Sequence, residues 1–345
     1  KIVVTGCSAQ IDPNKWLQME EVSNVIGNSE KTKKEFWKNF SLNQQNELVT
    51  SDIMLVREDK TDFSGLVNQN SRYFLQIQNG CDHRCTFCVI PYGRGNSRSV
   101  SVNKILDNVN EALQNNFKEI VLTGVDLTSW GKDFLSEGCS LGFVVKKILN
   151  EFKTLPRLRV SSIDPAEIDY ELMEVLEYDH RFMPHLHLSI QHGDDLILKR
   201  MKRRHNVGQI INLFDIIRKA RPHVTFGADF ICGFPTESDS MFFNTIKNVK
   251  KLNITHLHVF PYSSKHGTPA SRMPQVDLYK RRKRAKILRE LGKKNYVGLL
   301  KKEIKYKHNI LIETFNGIGK TENNIKVKVK SSKKGDLIKT KLSSF

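Results

Sequence analysis

From residue 73 to residue 302 the chain repeats one pattern six times, a short β-branched or apolar run followed by a segment of helical periodicity. The strand-like runs lie at 73–78, 119–123, 158–163, 185–190, 224–231 and 255–260. Helical segments lie near 101–116, 141–152, 169–178, 207–220, 238–252 and 277–302. Strands joined by helices of this length are connected by crossovers and run parallel. Six units fall short of an eight-fold barrel, so the pattern predicts an α/β fold built on a partial, open (β/α)6 barrel. A doubly wound open sheet is the alternative.

In either fold ligands gather at the carboxyl ends of the strands. Small and polar residues recur at that rim: Gly124 and Asp126 after the second run, Asp164 after the third, Gln191 after the fourth, Gly233 after the fifth and Tyr262 after the sixth. Such a rim suits a large organic cofactor together with a second substrate.

Both flanks differ in texture. The chain opens in a strand-like KIVVTG without an initiating Met, from which we expect further sequence upstream. Residues 13–48 read as helical and polar, and 50–72 read as a linker. After residue 303 the chain turns to short strands separated by Gly-containing turns, the spacing of a small β-barrel. In IKVKVK, Lys326, Lys328 and Lys330 fall on one face of a strand and give it a basic surface. The expected units are therefore 1–60, 67–302 and 303–345.

Three of the six cysteines fall within eight positions, CDHRCTFC, directly after the first strand. Cysteine used so sparingly in a long chain without a secretory pattern points to metal or catalysis rather than to disulfides. Structural zinc wants four ligands, usually as two pairs, and His83 inside so tight a loop is poorly placed to be the fourth. Three thiolates suit an iron–sulfur cube with one iron left open for chemistry. Cys232, in an apolar strand, reads as a buried small hydrophobe, and Cys139 lies in a Gly-containing loop. His185, His187 and His192 read as barrel lining rather than as metal ligands.

A net charge of +18 either reflects a composition rich in Lys and Asn or serves a polyanionic partner, and its clustering favours the partner. The charge is clustered at 199–204, at 280–284 and across 301–341, and Arg200 and Arg203 are candidate RNA contacts. No apolar run reaches the ~18 residues of a membrane span, and the expected location is cytoplasmic.

The CxxxCxxC spacing after a first strand, with Phe87 before the third cysteine, resembles the radical S-adenosylmethionine (SAM) enzymes. The resemblance implies that Cys81, Cys85 and Cys88 bind a [4Fe-4S] cluster whose fourth iron takes SAM, with Phe87, Gly124 and Gln191 contacting SAM. Further blocks, among them KEIVLTGVDLTSWG, HLHLSIQHGDDLILKRMKRRHN and ADFICGFPTES, are similar in order to those of the methylthiotransferases. GCSAQ and NVIGNSEK resemble the end of the N-terminal domain of that family, and 303–345 resembles its RNA-binding TRAM barrel. RGNSRS and SSIDPAEID look most like the branch that acts on N6-threonylcarbamoyladenosine at position 37 of tRNA. The resemblance then implies a radical that removes hydrogen from C2 of the adenine, a methylated sulfur delivered from a second, auxiliary [4Fe-4S] cluster, and a tRNA anticodon loop as partner. It also implies a one-electron donor such as flavodoxin or ferredoxin, and leaves the sulfur donor unnamed. Cys7 matches the third of three N-terminal cysteines that hold the auxiliary cluster in full-length members. Rival readings are another methylthiotransferase substrate (isopentenyladenosine-37 of tRNA or a ribosomal protein), a truncated copy that cleaves SAM without inserting sulfur, and a zinc-stabilised RNA-binding protein.

Overall fold

The computed structural model describes residues 1–40, 47–57, 71–134 and 138–343. The chain begins with a parallel three-stranded sheet, β1 (Ile2–Thr5), β2 (Val22–Ile26) and β3 (Glu47–Val49), with β2 in the middle. Helices α1 (Cys7–Ile11) and α2 (Pro13–Leu17) join the first two strands, and α3 (Lys34–Asn39) precedes the third. The helical reading of 13–48 is thus corrected over VSNVI. Its Val22, Val25 and Ile26 are buried, and pairing with strands on both sides outweighs the local periodicity.

The linker reading of 50–72 is corrected where it can be followed. Ile53 is buried in a short 3-10 turn at Ile53–Leu55, and β4 begins at Arg72. Gly95 has φ +79°, and a Cβ there would stand 2.4 Å from the Ile53 carbonyl, so the segment packs tightly onto the loop beyond the cysteines. The rest of that stretch, 58–70, lies outside the described residues.

Six parallel strands then follow in chain order: β4 (Arg72–Gln76), β5 (Glu119–Thr123), β6 (Arg157–Val160, resuming at Ser162–Ile163), β7 (His185–Gln191), β8 (Thr225–Cys232) and β9 (His256–Pro261). The first half of β6 pairs with β5 and the second half with β7, which joins two sheets into one curved wall. Strands β4 and β9 are its edges and pair with no common partner, so the barrel is open between them. This is the expected partial (β/α)6 barrel.

Helix α4 (Ile90–Arg94) follows the cysteine loop, and α5 (Val102–Gln114), α6 (Leu141–Glu151) and α7 (Tyr170–Tyr178) cover the early strands. Helices α8 (Asp195–Arg200), α9 (Val207–Ala220), α10 (Asp239–Leu252) and α11 (Leu278–Glu303) cover the later ones. Side chains starting several of these helices cap them: Ser140, Asp169 and Asp194 accept from backbone N–H groups of the first turn, and Asn206 forms a reciprocal pair with Gln209. Strand alternation decides what faces the lumen. On β7, Leu186, Leu188 and Ile190 are buried beneath the helices, leaving His185, His187, Ser189 and Gln191 on the inner face.

The last unit, β10 (Lys307–Ile312), β11 (Ile318–Thr321), β12 (Lys326–Lys328) and β13 (Leu337–Lys341), forms an antiparallel sheet in the order β12-β11-β10-β13. Its β11 end closes the amino end of the barrel. Arg157 donates to the carbonyls of Lys320 and Thr321, Arg159 to that of Glu322, and Thr225 to that of Asn323. Lys326, Lys328 and Lys330 are exposed while Ile325 is buried, which gives the basic strand face its expected orientation.

Candidate active site

Cys81, Cys85 and Cys88 line one cavity of about 270 Å3 at the carboxyl ends of the strands, together with Phe87, Gln191 and Arg203. The loop that carries the thiols is held at several points. Cys81 N–H donates to the Gly95 carbonyl, Thr86 N–H to the Met201 carbonyl, and the Thr86 hydroxyl to the Arg200 carbonyl. Phe87 packs edge-on against Phe234, whose ring also meets Tyr262, so an apolar cluster holds the end of the loop. The backbone of Gly233 and Phe234 is fixed in turn by the buried Glu237 carboxylate.

The three thiols are free of disulfides despite sharing one cavity. Burial, and then the neighbouring Asp126 carboxylate, push the Cys81 thiol up to about 12, and Cys85 and Cys88 add to the effect. Burial also pushes the Cys88 thiol up. A cation placed among the sulfurs would favour loss of the Cys81 and Cys88 protons, which is the chemistry of a metal cluster site. Ile90 N–H points at the Cys88 sulfur at 3.4 Å, and Arg203 Nη1 stands 3.7 Å from the Cys85 sulfur, so charge on the sulfurs has donors waiting.

His83 lines the same cavity. Its Nε2 lies 3.0 Å from Asp126 Oδ2 and contacts Arg204, and hydrogen bonding to Asp126 and then Glu167 raises the imidazole to about 9. The ring is thus held by two carboxylates at the edge of the cysteine cavity.

The other side chains expected at the site divide. Phe87 and Gln191 line the cavity, whereas Gly124 sits behind it, where a Cβ would come within 2.9 Å of Gln78 Oε1. Gln78 uses that oxygen to accept from the Asp126 N–H, so the glycine makes room for the residue that aims Asp126. Cys7 lies on α1 against α4, where its sulfur accepts from Arg94 Nε at 3.0 Å and a Cβ on Gly93 would meet Cys7 Cβ at 2.8 Å. Cys232 is buried, and burial drives its thiol far up. Cys139 packs beside Gly131, outside the cysteine cavity.

Arg203 corrects an expectation. Read from its charge cluster as an RNA contact, its side chain is only 7% exposed and reaches into the cavity, where Nη2 donates to Asp164 Oδ2 and to the Ser189 carbonyl, each at 2.8 Å. Arg200 likewise bonds the Thr236 hydroxyl at 2.7 Å rather than facing solvent freely. His192 is corrected too: it is buried beside Thr245 and Glu237 outside the lumen, while His185 and His187 do line it. Among the lining residues that sequence reading did not single out as ligands are Arg203, Asp164 and Asp229. Position at a strand end was the available signal for Asp164; nothing local distinguished Arg203 from its charged neighbours.

The radical SAM superfamily family model matches residues 75–249. A threonylcarbamoyladenosine tRNA methylthiotransferase of Rickettsia prowazekii is 47% identical over 329 residues, spanning 95% of this chain and 77% of that relative. The chain belongs to the radical SAM methylthiotransferases. The corresponding enzyme of Aquifex aeolicus is 34% identical over 85% of this chain and 71% of its own length. Among solved structures, the radical SAM methyltransferase TsrM from Kitasatospora setae superimposes with a TM-score of 0.59 at 13% identity, over 78% of this chain and 57% of that one, a likeness of fold. As a radical SAM methylthiotransferase, the chain has a [4Fe-4S] cluster and SAM as its cofactors. No helix among the described residues is long and apolar enough to cross a membrane.

Proposed function

We propose that the chain adds a methylthio group to C2 of N6-threonylcarbamoyladenosine at position 37 of tRNA, with Cys81, Cys85 and Cys88 as ligands of the SAM-binding cluster. The observation that carries this reading is the extent of the likeness to the Rickettsia enzyme, which spans 95% of the chain, combined with three cysteines in one rim cavity. When bound, the cluster and SAM supply a 5′-deoxyadenosyl radical able to take hydrogen from an unactivated C–H bond.

The chain's own residues position and exclude. Arg203, fixed by Asp164 and Ser189, presents a guanidinium suited to the carboxylate of SAM. Phe87, backed by Phe234, offers an apolar face beside the cluster ligands and keeps water from them. Burial opposes ionisation of Asp164, but the neighbouring His205 ring and the charge of Arg203 hold it well below the usual carboxylate range, so it stays an anion that anchors the arginine.

Cys7, gripped by Arg94 and lying against α4, is a ligand for the auxiliary cluster. The exposed Lys326, Lys328 and Lys330 support RNA docking by 303–345 as the TRAM unit, with 1–60 and 67–302 as the other two units. An anticodon loop suits the chemistry, because a loop base reaches a buried site without breaking a duplex.

Mass spectrometry of tRNA nucleosides from cells with and without the gene tests the reading. The 2-methylthio form of threonylcarbamoyladenosine is expected to vanish with the gene, and its persistence would defeat the assignment.

A further inference from the structure

We infer that the exposed face of α11 is a docking surface for the phosphate backbone of RNA, holding the stem that adjoins the loop presented at the cysteine cavity. The inference rests on the tRNA reading above and adds the surface that holds more of that partner than the target base.

Helix α11 is 26 residues long, about 39 Å at 1.5 Å per residue, and it is fixed at both ends of the barrel. Near its start Arg281 donates to the Tyr262 carbonyl at the carboxyl rim, and the buried Arg284 donates to the Glu237 carbonyl. Farther along, Asn295 donates to the Ile254 carbonyl at the amino end of β9, and the Glu303 carboxylate accepts from Asn323 of the C-terminal unit. Gly292 lets the helix lie close on β9, where a Cβ would come within 2.9 Å of Leu257 Cβ. One helix therefore leads from the rim of the cysteine cavity to the C-terminal sheet.

Its outer face is strongly basic. Of the eleven lysines and arginines on α11, Arg281 and Arg284 turn inward and the other nine are exposed. Against them stand three exposed carboxylates: Glu290 on the helix, Asp277 at its cap and Asp239 at the start of α10. Lys280 pairs with Asp239, and Lys293 pairs with Glu290. Arg282, Lys283, Lys286, Lys294, Lys301 and Lys302 form no ion pair among the described residues. The adjacent α10 adds exposed Lys247, Lys250 and Lys251 and no carboxylate besides Asp239.

Such a line of cations suits phosphate better than protein. Lysine is depleted where proteins meet, whereas on a nucleic acid each lysine gains by releasing condensed counterions. Phosphate contacts position an RNA without reading its sequence, which is what a stem requires when its loop is read elsewhere. Arg200 and Arg203 of the other basic cluster, by contrast, are engaged in bonds within the protein.

The test measures, by fluorescence anisotropy across a range of salt, the binding of an anticodon stem-loop RNA with plain adenosine at position 37. One variant combines Lys286→Gln, Lys294→Gln and Lys301→Gln. A control combines Lys147→Gln, Lys153→Gln and Lys219→Gln, exposed lysines elsewhere that change the net charge equally. All six side chains are exposed and glutamine is a good helix former, so the fold is kept. The α11 variant is expected to reduce the slope of log affinity against log salt by about three and to weaken binding at low salt by about tenfold or more, while the control leaves the slope unchanged. A single-stranded RNA of the loop alone is expected to lose less than the stem-loop. Equal behaviour of the two triple variants overturns the surface, and equal loss for the isolated loop overturns its assignment to the stem. Weakened binding of polyglutamate with RNA binding intact overturns the choice of RNA in favour of an acidic protein. Because the probe carries plain adenosine, a failure here leaves the nucleoside assignment standing, and a failure of that assignment leaves this result standing.

Discussion

The Arg203 guanidinium lies between Asp164 and Cys85: Nη2 donates to Asp164 Oδ2 at 2.8 Å, and Nη1 stands 3.7 Å from the Cys85 sulfur. The contact ties the segment after α8 to the cysteine loop, 118 residues earlier in the chain. It also places a planar, permanently charged fork on the wall of the cysteine cavity.

Replacing that fork is expected to weaken SAM binding. Arg203→Lys keeps a positive charge but loses the paired donors, and should raise the dissociation constant for SAM about tenfold; Arg203→Leu should raise it further. Isothermal titration with SAM on the reconstituted protein checks this, and unchanged affinity in the leucine variant removes Arg203 from the SAM site.

The cysteines should separate by role. Cys85→Ala is expected to abolish release of 5′-deoxyadenosine from SAM after anaerobic reconstitution, whereas Cys232→Ala leaves it measurable. Cys232 is buried against the helix layer, so its loss acts through packing, at about 1–2 kcal/mol of stability. Equal loss of cleavage in the two variants contradicts the ligand assignment.

Glu119 should be a stability hot spot. Its buried carboxylate lies 2.7 Å from Arg157 Nε and 3.1 Å from Arg159 Nε, and although burial opposes ionisation, the charges of Arg159 and Arg157 hold it below the usual carboxylate range. Glu119→Ala leaves two buried guanidinium groups without their counter-charge, for an expected loss of about 3–5 kcal/mol. Because the same arginines hold the carbonyls of 320–322, the C-terminal sheet should loosen with the barrel floor. Thermal unfolding and hydrogen exchange over 307–341 report both effects.

Stability should fall on the acid side for a traceable reason. Burial lowers His256 to about 4, with Lys320 and the neighbouring His187 and His258 adding repulsion, and burial together with the charge of His256 lowers His185 as well. In the unfolded chain both imidazoles titrate near 6.5, so below that pH the unfolded state binds protons that the folded state refuses. The folded state is therefore undiminished by these groups above about pH 6.5 and weakens as pH falls toward 4, by about 3 kcal/mol for His256 alone. Thermal melts at pH 7.5 and 4.5 should show a smaller acid loss for His256→Gln than for the unaltered chain; equal losses would clear His256.

Much of this architecture was written locally. The six parallel strands, their covering helices and the cysteine triplet at the first carboxyl end each rest on spacing within a few dozen residues, because hydrophobic period and loop length are local quantities. The exposed lysines of β12 followed from simple alternation. The reading of VSNVI as helix shows the limit: its strand state depends on β1 and β3, partners that no window around Val22–Ile26 contains.

What the amino-acid order determined by itself was the fold class and the three sulfurs, since periodicity and spacing act within one stretch of chain. What only the tertiary structure decided was which charges point inward. Arg203 left the basic cluster for the cavity, and His187, Asp229 and His258 met across three strands. Barrel closure and strand register bring together atoms that are far apart in sequence, and no local pattern records that meeting.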